Sequence, residues 1–145
     1  MQVRDGMSSM VLTVGPQHSL RAAASMMTER QVGAAVVIDP EGEGPGIVTE
    51  RDLLHAAGRG DDLDSERVAD HMTQRLTYAA ADWPLERAAQ EMVRARFRHV
   101  VVLDGAEVVG ILSMRDIVRF WVQSGIAAEF ASKSREKSIG LVALI

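Results

Sequence analysis

The sequence contains no cysteine, which excludes disulfides, thiol nucleophiles and thiolate metal sites. It also has no excess of basic residues, because 16 lysines and arginines stand against 20 acidic residues and the formal net charge is −4. A protein that binds the phosphate backbone of nucleic acid needs a basic stripe, and this sequence has none. We therefore expect no nucleic-acid partner.

The sequence also has no long apolar run. No stretch reaches the roughly 18 apolar residues of a membrane span. The opening MQVRDGMSSM carries charges where a signal peptide would need an apolar stretch. We expect no membrane association and a cytoplasmic location.

Patterns typical of catalysis are missing as well. The four histidines, His18, His55, His71 and His99, have no metal-ligand spacing. There is no Gly-x-Ser-x-Gly elbow, and the Gly-rich EGEGPG lacks the Gly-Lys-Ser/Thr ending of a phosphate-binding Walker loop. We expect no metal site, no obligatory cofactor and no enzymatic activity.

What the 145 residues do contain is an internal repeat at an offset of 64 or 65 residues, as from Val3 to Val68 and from Gly46 to Gly110. The paired stretches are VRDGM and VADHM, LTV and LTY, LRAAASMM and LERAAQEM, AVVID and VVVLD, and GIVTERD and GILSMRD. Because they recur in the same order, two equivalent structural units are expected.

Each repeat predicts the element order β-α-β-β-α, and therefore an α/β (α+β) fold. Ser19 and Asp82 are suited to cap helices whose apolar residues recur at helical spacing. These apolar residues are Leu20, Ala23, Ala24 and Met27 in the first helix, and Leu85, Ala88, Ala89, Met92 and Val93 in the second. Gly33 is placed to end the first helix, and Pro84 is expected within the first turn of the second.

Short continuous apolar strands follow these helices, at residues 34–38 and 100–103, which suits strands covered on both faces. Asp104-Gly105 favours a hairpin turn. The acidic stretch at residues 58–66 is the expected connector between the repeats. The predicted division is therefore a first domain at 1–62, a second at 63–124 and a tail at 125–145.

The paired motifs Thr49-x-x-Asp52 and Ser113-x-x-Asp116 allow two interpretations. Each matches a capping box, in which a hydroxyl and an acidic side chain three residues later satisfy the free amides of a helix start. A helix N-terminus also attracts phosphate, so the same atoms could hold a ligand. The two interpretations are compatible.

In this combination the motifs resemble a tandem pair of cystathionine β-synthase (CBS) domains, the arrangement called a Bateman module, over about residues 3–121. The resemblance implies two repeats packed through their sheets with pseudo-twofold symmetry, two clefts between them, and association into a homodimer. It also implies that the clefts bind adenine nucleotides or adenosine derivatives such as S-adenosylmethionine, without catalysis.

The resemblance further implies roles for individual residues. The hydroxyls of Thr49 and Ser113 would contact phosphate, and the carboxylates of Asp52 and Asp116 would accept the ribose hydroxyls. Thr13 and Thr77 are expected to contact adenine or ribose, and the backbone around Ala35 and Val100 is expected to meet the base. Contacts to phosphate are expected from Arg98, His99, Arg51 and Arg115. For the three arginines and His99, simple solvation is the alternative. Arg98 and His99 have no basic counterpart in the first repeat, which predicts unequal clefts.

The functional expectation is a regulatory module that senses AMP, ADP or ATP and signals to an unidentified protein target. Two alternatives stay open: a structural dimerisation module with empty clefts, and a sensor of S-adenosylmethionine or another adenosine derivative. The tail ends in the apolar LVALI, which favours docking onto the module or a partner, with a disordered terminus as the alternative.

Overall fold

The computed structural model describes residues 1–42, 44–74, 78–125, 129 and 132–134. The predicted contact at Thr77 and nearly all of the predicted tail lie outside these described residues. The chain forms two similar halves. The first half consists of β1 (Thr13–Val14), α2 (Leu20–Arg30), β2 (Ala34–Val37), β3 (Gly46–Thr49) and α3 (Glu50–Arg59), preceded by the short helix α1 (Val3–Gly6).

The second half repeats this order. After a single 3₁₀ turn at Val68–Asp70, its elements are β4 (Tyr78–Ala80), α4 (Leu85–Ala95), β5 (His99–Asp104), β6 (Glu107–Ser113) and α5 (Met114–Gln123). Each half contains a three-stranded sheet with its middle strand parallel to the first and antiparallel to the third. The predicted β-α-β-β-α order is confirmed in both halves, as is the hairpin at Asp104-Gly105, where Gly105 has a φ of 61°.

The helix ends differ in part from the prediction. Ser19 caps α2 as expected, since its side chain accepts a hydrogen bond from the Ala22 amide at 3.1 Å. The predictions for Asp82 and Gly33 are wrong. Helix α4 begins after Pro84, which occupies the capping position itself, and α2 ends at Gln31 in the left-handed conformation with a φ of 55°. The left-handed residue that closes the last turn of α2 is Gln31, two residues before Gly33.

The helix faces are largely as predicted. Leu20, Ala23 and Met27 are buried on α2, and Leu85, Ala88 and Met92 are buried on α4. Val93 is an exception, because 69% of it remains exposed. Its position one residue after Met92 turns it about 100° away from the buried stripe, toward solvent.

The middle strands are covered on both faces, as their apolar sequence predicted. On β2, Ala35 and Val37 pack in the core beneath the helices of the first half. The alternate residues Ala34 and Val36 face the other sheet and pack with Ile47 and Val101 in a cluster between the two sheets. The sheets therefore stack on each other through one face, and each packs its own helices on the other.

Two short segments cross from one half of the chain to the other, which the sequence did not predict. The first crossing segment, residues 2–8, packs on the second half: Val3 lies in that core, and Ser8 pairs with Ile111. The second crossing segment, residues 67–73, packs on the first half: Val68 lies in its core, and Thr73 pairs with Ile47. Neither packing unit is therefore continuous in sequence.

The glycine that opens each Gly-x-x-Ser/Thr-x-x-Asp motif lies where a crossing segment passes over the sheet. A side chain at Gly110 would come within 2.7 Å of the Ser8 carbonyl oxygen and of Met7 Sδ. At Gly46 the matching approaches are 3.1 Å to the Thr73 carbonyl oxygen and 3.2 Å to Met72 Sδ. Glycine permits this close backbone approach. In each case the crossing segment of one repeat contacts the Gly-x-x-Ser/Thr-x-x-Asp motif of the other.

Candidate functional site

The starts of α3 and α5 are both closed by capping boxes, as the sequence predicted. In α3, the Thr49 amide donates to Asp52 Oδ2 at 2.8 Å, and the Thr49 hydroxyl contacts the same oxygen at 3.2 Å. In α5, the Ser113 amide donates to Asp116 Oδ2 at 2.9 Å, and Ser113 Oγ accepts from the Asp116 amide at 3.0 Å. Each hydroxyl and carboxylate is thereby fixed at a strand-to-helix corner.

A cleft of about 670 Å³ opens beside the start of α3. One wall is the end of β3 and the first turns of α3, including Thr49, Asp52 and His55. The opposite wall is residues 97–101, which lead into β5 of the other half, and Thr73 of the second crossing segment completes the lining. This first cleft is therefore built from both halves.

A second cleft of about 1000 Å³ opens beside the start of α5. Ser113, Arg115 and Asp116 line one wall, and residues 30–34, which lead into β2 of the first half, line the other. Residues 5–8 of the first crossing segment contribute a further wall. The second cleft thus has the same composite plan, with the halves exchanged.

Three side chains line both clefts: Glu50, Arg98 and His99. Backbone hydrogen bonds fix each segment within its own half, because the Glu50 amide donates to the Gly33 carbonyl oxygen and the Met114 amide donates to the Arg98 carbonyl oxygen, both at 2.9 Å. Arg98 and His99 belong to the second half in sequence, yet they lie between the clefts. These two residues are therefore not a feature of one cleft alone.

His99 carries the clearest electrostatic effect of the site. Its partial burial lowers its pKa, and the cationic Arg98 acts in the same direction, while the carboxylates of Glu50 and Asp116 oppose the shift. The lowered pKa favours the neutral imidazole at neutral pH. An anion bound beside His99 would raise its pKa and so oppose that shift.

The two aspartates differ in their remaining contacts. Asp116 is only 8% exposed and its Oδ1 is also paired with Arg119. Asp52 is partly exposed, and both of its hydrogen bonds, from the Thr49 amide and hydroxyl, go to Oδ2. Within the described part of the chain, no donor reaches Asp52 Oδ1. Asp52 is also one of the residues that line the first cleft.

A sequence model of the CBS domain matches residues 2–59 and again residues 68–122. The chain belongs to the CBS domain family. The two matches correspond to the two halves of the fold, and the resemblance in the repeated motifs is confirmed. No catalytic family is indicated for the chain, and CBS domain pairs are generally regulatory.

Individual CBS proteins show the same relationship. The chain is 32% identical over 116 residues to the CBS domain-containing protein YhcV of Bacillus subtilis (strain 168), an alignment covering 79% of this chain and 81% of the relative. It is 34% identical over 110 residues to an uncharacterised 17.7 kDa protein of Acidianus ambivalens, covering 75% of this chain and 66% of that protein. The chain therefore spans most, but not all, of these relatives.

Among solved structures, the CBS domain pair of protein MJ0100, in complex with 5′-methylthioadenosine and S-adenosyl-L-methionine, matches with a TM-score of 0.76 at 25% identity. The match covers 86% of this chain and 98% of that one. An uncharacterised conserved protein from Pyrococcus horikoshii matches with a TM-score of 0.75 at 28% identity, covering 81% and 89% of the two chains.

Most of the residues predicted from the CBS resemblance line the clefts. The first cleft contains Thr49, Arg51, Asp52, Arg98, His99 and Val100, and the second contains Ser113, Arg115, Asp116, Arg98 and His99. Arg51 is also held in place, because its guanidinium donates to the Arg96 carbonyl oxygen at 3.0 Å.

Two predicted residues lie elsewhere. Thr13 is exposed on β1, and Ala35 is fully buried in the first core, so neither is among the residues that line a cleft. Ala34, one residue earlier, lines the second cleft instead. Successive residues of a strand point to opposite faces, so the Ala35 side chain lies in the core while its neighbour lines the cleft. The contact expected from the backbone around Ala35 stays a prediction.

Sequence reasoning also missed Glu50 and the crossing segments. Glu50 stands inside the motif TERD, where Met114 replaces it in the second repeat, and this difference was a usable signal. Among the described residues, no group of histidine and acidic side chains could hold a metal ion, and no helix is long and apolar enough to cross a membrane.

Proposed function

We propose that this protein is a regulatory module that binds adenine nucleotides, AMP, ADP or ATP, in its two clefts and passes the bound state to a protein partner without catalysing a reaction. The observation that supports this most directly is the composite plan of the clefts. In each, a fixed hydroxyl and carboxylate at a helix start face a strand entrance of the other half.

The chemistry of the helix starts suits a nucleotide. A carboxylate offers two oxygens to the two hydroxyls of a ribose, and the unused Oδ1 of Asp52 is placed for this. Arg98, together with either Arg51 or Arg115, favours a phosphate. Val100 and Ala34 supply apolar strand surface for a base.

The adenosine part of the proposal is also supported by the MJ0100 pair, because both ligands named for it contain adenosine. This likeness favours a second candidate, an S-adenosylmethionine or methylthioadenosine sensor. The arginines between and around the clefts favour phosphate over a cationic sulfonium, so we place the nucleotide first.

Signalling requires that the ligand prefer one arrangement of the halves over another. A ligand in either composite cleft touches both halves and lies against a crossing segment, at Thr73 or at residues 5–8. We propose that occupancy tightens the contact between the halves, and that the outer helices report the change to a partner.

A homodimer is also part of the proposal. Leu54 on α3 and Val118 and Val122 on α5 are mostly exposed, and the last two lie one turn apart on a single helix face. The competing function is a dimerisation module with empty clefts, which would use the same apolar surface. Sedimentation of the Val122→Glu variant tests the dimer, and an unchanged molar mass would contradict it.

Thermal unfolding with AMP, ATP, adenosine and S-adenosylmethionine tests ligand binding. A ligand at 100 times its Kd stabilises the folded state by about 2.7 kcal/mol, which raises Tm measurably. We expect nucleotides to raise Tm, and less so at high salt, because phosphate contacts are screened. An S-adenosylmethionine shift larger than any nucleotide shift would support the second candidate.

The double variant Asp52→Ala, Asp116→Ala separates ligand binding from helix capping. The ligand role predicts that the nucleotide shift disappears, whereas a role in capping alone predicts a lower baseline Tm with the shift intact. If no adenosine-containing compound moves Tm of the unmodified protein, the clefts are empty and the dimerisation module is the better account.

A further inference from the structure

The two clefts draw on one set of charges. Glu50, Arg98 and His99 line both of them, and the chain offers no second copy, because Gly33 and Ala34 occupy the equivalent strand entrance of the first half. Any ligand phosphate that reaches Arg98 from one cleft therefore uses a cation that the other cleft also faces.

The remaining arginines do not compensate equally. In the first cleft, Arg51 already donates to the Arg96 carbonyl oxygen, so Arg98 is the guanidinium there without such a bond among the described residues. In the second cleft, Arg119 is paired with Asp116, while Arg30 and Arg115 line the cleft beside Arg98. Arg98 is therefore the guanidinium that the two clefts share, joined by Arg30 and Arg115 in the second.

Glu50 strengthens the dependence on Arg98. Its carboxylate lies at the same shared position and would repel a phosphate in either cleft unless a cation offsets it. Once Arg98 is engaged by a first phosphate, a second phosphate meets Glu50 with less compensation.

We propose that the two clefts are antagonistic toward anionic ligands: a nucleotide bound in one cleft through Arg98 weakens the binding of a second nucleotide in the other. Adenosine, which has no phosphate, fills the two clefts independently. This inference rests on the proposed function and adds regulation to it. Such a module responds over a wider range of nucleotide concentration than two independent sites.

Isothermal titration of the full chain with AMP tests the antagonism. The Asp116→Ala and Asp52→Ala variants, each with one cleft disabled, give the affinity of each remaining cleft on its own. We expect the second AMP to bind the unmodified chain about tenfold more weakly than the corresponding cleft alone, within the range usual for coupled sites. The second adenosine should instead bind as tightly as it does to the corresponding cleft alone.

The Arg98→Ala variant shows whether the shared cation causes the effect. It should weaken both AMP sites and bring the coupling ratio to within about twofold of one, because neither site then competes for Arg98. Arg94→Ala is the matched control, since it removes an exposed guanidinium of α4 that lines neither cleft, and it should leave the ratio unchanged.

The outcomes separate this inference from the proposed function. Two AMP molecules that bind at their single-cleft affinities would overturn the antagonism and leave nucleotide binding intact. A coupling ratio that persists in the Arg98→Ala variant would also overturn the antagonism. The same holds if one aspartate variant loses all AMP binding while the other binds AMP like the unmodified chain. No AMP binding in any form would overturn both proposals.

Discussion

The helix starts of the two halves have the same motif but differ in the contacts that their aspartates make. Asp52 leaves one carboxylate oxygen open to its cleft, whereas Asp116 is buried and shares its second oxygen with Arg119. Likewise, the crossing segment lies closer to Gly110 than to Gly46. The second half is therefore the more tightly constrained copy.

The largest loss of stability is expected at Gly110, where a crossing segment lies closest to the sheet. Gly110→Ala should destabilise the protein by the upper end of the about 1–3 kcal/mol typical of overpacking, because the new methyl meets a backbone oxygen at 2.7 Å. Gly46→Ala should cost about 1 kcal/mol, since its closest approach is 3.1 Å. Urea denaturation measures both.

Gly58→Ala in α3 is the control for these variants, because no atom lies within 4 Å of the added methyl. Alanine in a helix should stabilise it by about 1 kcal/mol. Equal losses at Gly46 and Gly110 would contradict the asymmetry of the two crossings.

The next effect concerns the aspartates. Asp116→Ala should lower the free energy of unfolding by about 1–2 kcal/mol, because it removes a buried capping bond and leaves Arg119 without its partner. Asp52→Ala should cost about 1 kcal/mol. Chemical denaturation without ligand measures both losses of unfolding free energy. A greater loss for Asp52→Ala would show that the burial of Asp116 does not determine the difference.

A smaller effect is expected from freeing Asp116. The Arg119→Ala variant should raise the affinity of the second cleft for adenosine about two- to fivefold, because Oδ1 becomes available to a ribose. Stability should fall by less than about 1 kcal/mol, because Arg119 is itself largely exposed and Asp116 keeps its capping bonds. Calorimetry in an Asp52→Ala background isolates the second cleft. Unchanged or weaker binding would indicate that Arg119 does not limit it.

The smallest effect is a pH dependence. Because the folded-state pKa of His99 lies below its unfolded value, unfolding takes up a proton as pH falls through the interval between them. Its contribution to stability is complete above the unfolded value, near 6.5, and is lost below it. The charged groups that affect it are Glu50, Asp116 and Arg98.

The His99→Gln variant should therefore lose less Tm than the unmodified protein between pH 7.5 and pH 5.5. Scanning calorimetry at the two pH values measures the difference. Parallel losses in both proteins would show that other groups account for the whole pH dependence.

Much of the fold was predictable because it rests on local signals. The repeated apolar periodicities, Ser19 at a helix start and Asp104-Gly105 at a turn each act within a few residues. The errors at Asp82, Gly33 and Val93 are also local. The first two reflect a helix boundary shifted by two residues, and Val93 lies one residue off the buried face of α4. Thr49, Asp52, Ser113 and Asp116 were found for the same reason, since a capping box is written in four consecutive residues.

The sequence alone determined that the protein is a duplicated β-α-β-β-α unit with two hydroxyl-carboxylate helix starts, because those features depend on near neighbours in the chain. Only the tertiary structure decided that residues 2–8 and 67–73 exchange halves, that each cleft is built from both repeats, and that Arg98 and His99 lie between the clefts. These are contacts between residues far apart in the sequence, such as Ser8 with Ile111 and Thr73 with Ile47, and they depend on how two sheets stack.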